Sequence, residues 1–389
     1  MGQLNKFIPL SVPNLKGNEL KYVIDAVEAE WVSTGGSYIN EFEKNIAKYL
    51  RVKEAVACQS GTAALHLSLL LSNVKLGDEV LAPTLTFIAA VNPIKYIGAE
   101  PVFIDCDDSL TMDPLKLKEF CEKECIFENE VLINKTSGNQ IKAIIVVHVF
   151  GNIANMQEIM YIAETYNLKV IEDATEALGT YYTSGKYKGK HAGTIGDFGA
   201  YSFNGNKIIT TGGGGMLVSN LEYGCKKAKY LSTQAKDDEL NYIHDEIGFN
   251  YRMTNLQAAL GVAQLEQLEK FIRTKNENYE LYRELLKDNT KVKVLEFNKD
   301  IRSNKWFYSL FVNEGDITEL INKLQEHKIQ TRPIWGLINE QKPYENSSAY
   351  KIEKAKYYCK HIINIPCSTN LSKDDVKGVV ETIESVIGR

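Results

Sequence analysis

The chain of 389 residues carries 45 Lys+Arg against 50 Asp+Glu, a formal net charge of −5, with 44% hydrophobic and 24% charged residues. That balance excludes a disordered, collagen-like or coiled-coil chain and suits a globular protein of about two domains. A mildly acidic chain also lacks the basic footprint of non-specific nucleic-acid or anionic-membrane binding, so any phosphate has to be held by a local site.

In chain order, short apolar runs stand at 55–58, 79–82, 101–104, 143–149, 168–171, 198–203 and 215–218. Several are rich in Val and Ile without polar alternation, as strands buried on both faces of a parallel sheet should be. Between them, helical spacing runs over 62–71, 87–96, 114–121 and 155–166, and the alternation predicts an α/β layered domain. The polar stretch 122–142 reads as a surface excursion. Near Thr254 a long helix begins, with Thr254 and Gln257 at capping-box spacing. A strand over 306–311 and helices over 317–327 and 373–387 then suggest a smaller α+β domain. The predicted boundaries are 1–253 for the large domain and 254–389 for the bridging helix and small domain.

Seven scattered cysteines include no C-x-x-C pair, and the six histidines are equally dispersed, so no metal site is expected. The start MGQLNKFIPL has no basic segment followed by an apolar core, and no apolar run reaches bilayer length. A reduced, cytoplasmic protein is the expectation.

Four features fall at predicted strand ends, where open α/β sheets bind ligands. Ser60-Gly61-Thr62 opens a helix, whose free amides and dipole suit a phosphate, although an ordinary N-cap has the same pattern. Asp173 leaves a buried strand, where a carboxylate needs a partner such as a cationic ring nitrogen, or caps the next turn. Ser202 is followed five residues later by Lys207 in an Asn/Gly turn; desolvation would make that lysine a Schiff-base amine, and solvation an ordinary surface group. Gly212–Gly215 are followed by Met216 and Leu217, which excludes a P-loop. Phosphate turn, strand-end acid, then serine and lysine is the order that a pyridoxal phosphate site requires.

With these residues in place the chain resembles the DegT/DnrJ/StrS nucleotide-sugar aminotransferases, nearly end to end. The resemblance rests on Trp31-Val32-Ser33-Thr34-Gly35, Ser60-Gly61-Thr62-Ala63-Ala64-Leu65, Pro83-Thr84-Leu85-Thr86-Phe87, Val147-His148-Val149-Phe150-Gly151, Glu172-Asp173-Ala174, Ser202-Phe203, Lys207 and Gly248-Phe249-Asn250-Tyr251-Arg252-Met253. It implies PLP fold type I, the aspartate-aminotransferase fold: a large domain with a mostly parallel sheet and a smaller α+β C-terminal domain. It also implies pyridoxal 5'-phosphate as cofactor, with Lys207 as the Schiff-base lysine, Asp173 as partner of the ring nitrogen and Phe87 stacked on the ring. Core packing is the other role open to Phe87. Gly61, Thr62 and Ser202 become phosphate ligands, and Asn250 reaches the phosphate of a neighbouring subunit in a homodimer.

Glu176 stands where many members have Gln near the cofactor's ring hydroxyl, and Gly213 stands where the family's glycine loop has Glu. Lys207, where some relatives have His, favours transamination over sugar dehydration. The motifs Ile8-Pro9-Leu10-Ser11, Glu172–Ala177 and Thr331–Trp335 are most similar to enzymes making bacillosamine or legionaminic acid precursors. These move the amino group of L-glutamate to C4 of a nucleotide-linked 4-keto-6-deoxy-N-acetylglucosamine. Arg332 is a candidate for a glutamate carboxylate or sugar diphosphate, and equally for a surface ion pair. His148, Ser33 and Thr34 are further substrate candidates, His148 alternatively being a core residue. Amination at C3 or of another keto sugar is the rival activity, and a non-catalytic cofactor-binding sensor the rival class.

Overall fold

The computed structural model describes residues 6–238 and 240–387. Its centre is a ten-stranded sheet whose main path runs Ala55–Cys58, Gly215–Ser219, Phe198–Ser202, Lys169–Asp173, Gln140–Val147, Glu79–Pro83, Glu100–Ile104 and Ala349–Tyr350. From Phe198–Ser202 to the far edge every pairing on this path is parallel. Gly215–Ser219 alone on the path runs antiparallel to both neighbours. The apolar runs lack alternation because both faces are covered. Ile145, Ile171 and Leu217 feed one apolar cluster, while their neighbours Ile144, Val146, Val170 and Met216 feed the other.

Two expectations need correction. The polar stretch 122–142 is no loose excursion: Cys125–Glu128 and Val131–Asn134 form an antiparallel hairpin, and its second strand pairs with Gln140 and Ile141 of the sheet. The two turn residues, Asn129 and Glu130, both take left-handed φ (51° and 62°), the geometry that matches strand twist in a two-residue hairpin. The helix expected over 87–96 is broken into a 3₁₀ turn, Ile88–Ala90, and a short helix, Asn92–Tyr96. Pro93, which cannot donate a backbone hydrogen bond, stands in the first turn of the second piece. Phe87 is left with extended backbone ahead of both.

The long helix spans Asn255–Leu286, and its capping box is formed in both directions between Thr254 and Gln257. Gln257 also donates from Nε2 to the Gly213 carbonyl at 2.7 Å, which ties the start of this helix to the glycine loop. A second sheet follows in the order Val292–Val294, Tyr308–Val312, Ile362–Ile365, Arg332–Pro333, with helices Ile317–Glu326 and Lys373–Ile387. Its central strand starts at Tyr308, so Trp306 and Phe307 are left in the preceding loop. Among the described residues no helix is long and apolar enough to cross a membrane.

Candidate active site

Asp173 and Ser202 are the last residues of two adjacent parallel strands, and the turn after Ala55–Cys58 comes to the same end of the sheet. A cavity of about 320 Å³ opens there, lined by Gly61, Thr62, Phe87, Asp173, Glu176, Ser202 and Lys207. Residues far apart in the chain, from Gln59 to Trp335, thus meet around one space.

The helix Gly61–Leu71 aims its N-terminus at this space. Ser60 caps it by accepting the Ala63 N–H at 3.0 Å, while the amides of the first turn lie at the positive end of the dipole. Two glycines make the turn this tight. A Cβ on Gly61 would meet Thr175 Cγ2 at 2.9 Å and Ser202 Cβ at 3.0 Å, and one on Gly215 would meet the Ser60 carbonyl carbon at 2.4 Å. Phe87 is 55% exposed, so its ring is a free wall of the cavity and not a core residue.

Three charges share the floor. Asp173 is buried, and burial raises its carboxyl above the ordinary value; the Thr175 N–H, accepted by Oδ1 at 3.0 Å, and the Lys207 charge pull it back. Lys207 Nζ lies 4.1 Å from the Trp306 ring centroid and 3.8 Å from Glu176 Oε1. Burial lowers its pKa, opposed by the carboxylates of Glu176 and Asp173. Glu176 accepts the Phe150 N–H at 2.8 Å, and burial pushes its carboxyl up to about 7 against the pull of Lys207.

Glu176 therefore carries a pH signature. An unfolded chain releases this proton near 4.5 and the folded one near 7, so the stability of the neutral form is complete below 4.5 and lost as pH rises through 7. Between about pH 5 and about pH 8, wild-type apoprotein is expected to lose about 3 kcal/mol relative to Glu176→Gln, read from urea denaturation. Parallel pH profiles in the two proteins would contradict this assignment.

Other expected site residues lie elsewhere. His148 is a buried structural residue, not a cavity residue. Its Nδ1 accepts the Ala154 N–H at 3.3 Å, which leaves the ring proton on Nε2 for Glu172 Oε2 at 2.8 Å. Glu172 also accepts three backbone N–H groups, from Gly193, Ile195 and Gly196, and so pins the loop that leads into Phe198–Ser202. His148→Leu should cost about 2 kcal/mol of stability in urea denaturation with KM values unchanged, because it strips one partner from a buried carboxylate. A raised KM at wild-type stability would return His148 to the substrate.

Ser33 and Thr34 sit at the foot of the long helix, where the Ser33 carbonyl accepts the Asn255 N–H at 2.6 Å. Arg332 is exposed on a two-residue edge strand, outside the cavity wall. Asn250 is exposed and also outside the cavity of its own chain, and its backbone forms an antiparallel bridge with Thr233.

The loops beside the small second sheet contribute further site residues. Trp306, Phe307 and Trp335 close one side of the cavity. Trp306 stacks on Phe307 at 4.0 Å and donates from Nε1 to the Asn206 carbonyl at 2.8 Å, so it fixes the turn that carries Lys207. Asn304 holds the backbone of Glu176 and Leu178 through Nδ2, at 2.9 and 3.0 Å.

The model of the DegT/DnrJ/EryC1/StrS aminotransferase family matches residues 13–384. The chain belongs to this family. It is 38% identical to GDP-perosamine synthase of Escherichia coli O157:H7, over 97% of this chain and 98% of that one. It is 30% identical to the UDP-4-amino-4,6-dideoxy-N-acetyl-β-L-altrosamine transaminase of Campylobacter jejuni, over 98% and 97%. Among solved structures, the PLP form of Spr1654 from Streptococcus pneumoniae matches with a TM-score of 0.87 at 23% identity, covering 98% of each chain. The protein is a DegT-family aminotransferase that depends on pyridoxal 5'-phosphate, as the name of a 38%-identical relative, EpsN of Bacillus subtilis, also states for that protein. The cavity fits that group: a glycine-lined helix N-terminus for a phosphate, a buried carboxylate, one desolvated lysine and an open aromatic face.

Proposed function

We propose that this aminotransferase moves the amino group of L-glutamate to C4 of a nucleotide-linked 4-keto-6-deoxy-N-acetylglucosamine, giving the 4-amino sugar for a bacterial glycan or a nonulosonic acid. The observation that carries an amino-transfer role is the desolvated Lys207 amine inside the cavity, 3.8 Å from Glu176 and across from Asp173. Support for C4 is chemical kinship: the transaminase relative is named for a 4-amino-4,6-dideoxy product on UDP, and the synthase relative for a GDP-linked sugar.

When bound, pyridoxal 5'-phosphate supplies an electron sink for the carbon that loses its proton. Gly61, Thr62 and Ser202 would hold its phosphate, Phe87 would cover its ring, and Asp173 would pair with its ring nitrogen. Lys207 then serves as the base that lifts the proton from the amino-bearing carbon and returns it in the reverse half. Burial shifts this amine towards its neutral form, the form that task needs. Trp306 and the Asn204–Asn206 turn keep Nζ over the cavity.

A homodimer completes this reading, with Asn250 reaching the phosphate of the partner site. Its support is the exposed apolar segment beside Asn250, where Leu240 is 85% and Ile247 88% exposed, more than an isolated loop should leave to water. A cytoplasmic setting follows from the nucleotide-linked substrate and agrees with seven free thiols.

The test is turnover with L-glutamate and UDP- or GDP-linked 4-keto-6-deoxy sugars, the product being located by NMR. Formation of 2-oxoglutarate together with a C4 amine is expected. An amine at C3, or no amino sugar from any 4-keto substrate, would overturn the proposal.

A further inference from the structure

A second cavity, about 660 Å³, lies between the helix Ser37–Leu50, the long helix and the segment 181–191, and it shares no wall residue with the catalytic cavity. His191 forms part of its wall, is 5% exposed, and has a buried Nδ1 without any hydrogen-bond partner. A buried polar atom of this kind is costly unless something completes it. The ring stands between Tyr49 and Tyr181, with centroids 5.4 and 5.3 Å away and both tilted by 54° to it, so three aromatic side chains pack in succession beside the cavity.

Charge on the wall is unevenly committed. Glu269 accepts from Tyr49 Oη and pairs with Arg302, both at 2.6 Å. Glu266 accepts from Asn18 and Tyr22, each at 2.7 Å. Lys48 and Arg51, by contrast, have no ion-pair partner among the described residues. The excess is positive, and His191 registers it: burial first, then the charges of Arg51 and Arg302, hold its pKa down to about 4. The imidazole is therefore neutral near pH 7.

Unpaired cations ask for an anion, flat rings for a planar group, and the volume is that of a small-ligand site. We propose that this cavity binds a nucleoside phosphate, its base against Tyr181, the ring that abuts His191, and its phosphate on Lys48 and Arg51. The site stands on these residues and does not depend on the reaction proposed above.

The experiment is calorimetric titration of the holoenzyme with ADP, UDP and GDP. Wild type is compared with the double variant Lys48→Glu/Arg51→Glu and with Trp335→Ala, which alters only the catalytic cavity. At least one nucleotide should bind wild type and Trp335→Ala alike, and weaken about tenfold or more in the double variant, whose exchange with L-glutamate stays unchanged. The same nucleotide should shift one histidine resonance, absent from His191→Gln, in carbon-13 histidine spectra.

Equal affinity in wild type and the double variant would place all nucleotide in the catalytic cavity and overturn the proposal. So would inorganic phosphate binding as tightly as the nucleotides, an adventitious ion only, or an absence of heat and shift at saturating nucleotide. Dissociation of the native oligomer by the double variant would assign this face to a second copy of the chain, and would equally overturn it.

Discussion

Lys207→Ala is expected to lower turnover by about a thousandfold or more while leaving the fold intact. The amine is the one lysine side chain among the described residues of the catalytic wall, while Glu176 is held by the Phe150 N–H and Asp173 by the Thr175 N–H, so neither carboxylate is placed to take over its proton transfers. Stability should hold, because the ammonium is itself desolvated. Its removal leaves Glu176 free to take up a proton and keep its bond from Phe150. Stopped-flow rates of the glutamate half-reaction and a thermal melt check the two halves of this expectation. Substantial residual transamination would sink the assignment of Lys207.

Asp173→Asn should cost about a thousandfold in the rate of each half-reaction, with little change in KM. The replacement preserves shape and can still accept the Thr175 N–H, but it removes the negative charge that the site directs at a cationic partner. Stability should move the other way. Burial raises the Asp173 carboxyl above its ordinary 3.8, so wild type loses stability as pH climbs past that value, and the neutral amide escapes this loss. A variant slower and also less stable at neutral pH would mean that Asp173 is mainly a turn cap. Single-turnover rates with denaturation curves separate the two.

Much of this molecule is readable from local sequence because its chemistry is local. Strands buried on both faces declare themselves as apolar runs, and Ser60-Gly61-Thr62, Asp173 and Ser202 sit at their ends by chain order alone. The hairpin at 125–134 was hidden because its turn places Glu130, not glycine, at a left-handed position, so the usual two-residue signal is missing. His148 shows a different limit. A strand-end histidine can face a ligand or the core, and the choice is made by Glu172, 24 residues on, which also gathers the 193–196 loop. Trp306 and Asn304 were invisible as site residues because their partners, Asn206 and Glu176, lie at least 100 positions away, in turns that follow strands of the large sheet. No periodicity encodes such a contact.

The most direct test of the account is the visible spectrum of the protein reconstituted with pyridoxal 5'-phosphate, in wild type and Lys207→Ala, before and after L-glutamate. A visible band displaced from that of free cofactor is predicted for wild type, bleached by L-glutamate and restored by a 4-keto nucleotide sugar, with Lys207→Ala lacking the band before substrate is added. The same band in Lys207→Ala, or a wild-type spectrum identical to free cofactor, would contradict the claim that Lys207 is where cofactor and chemistry meet.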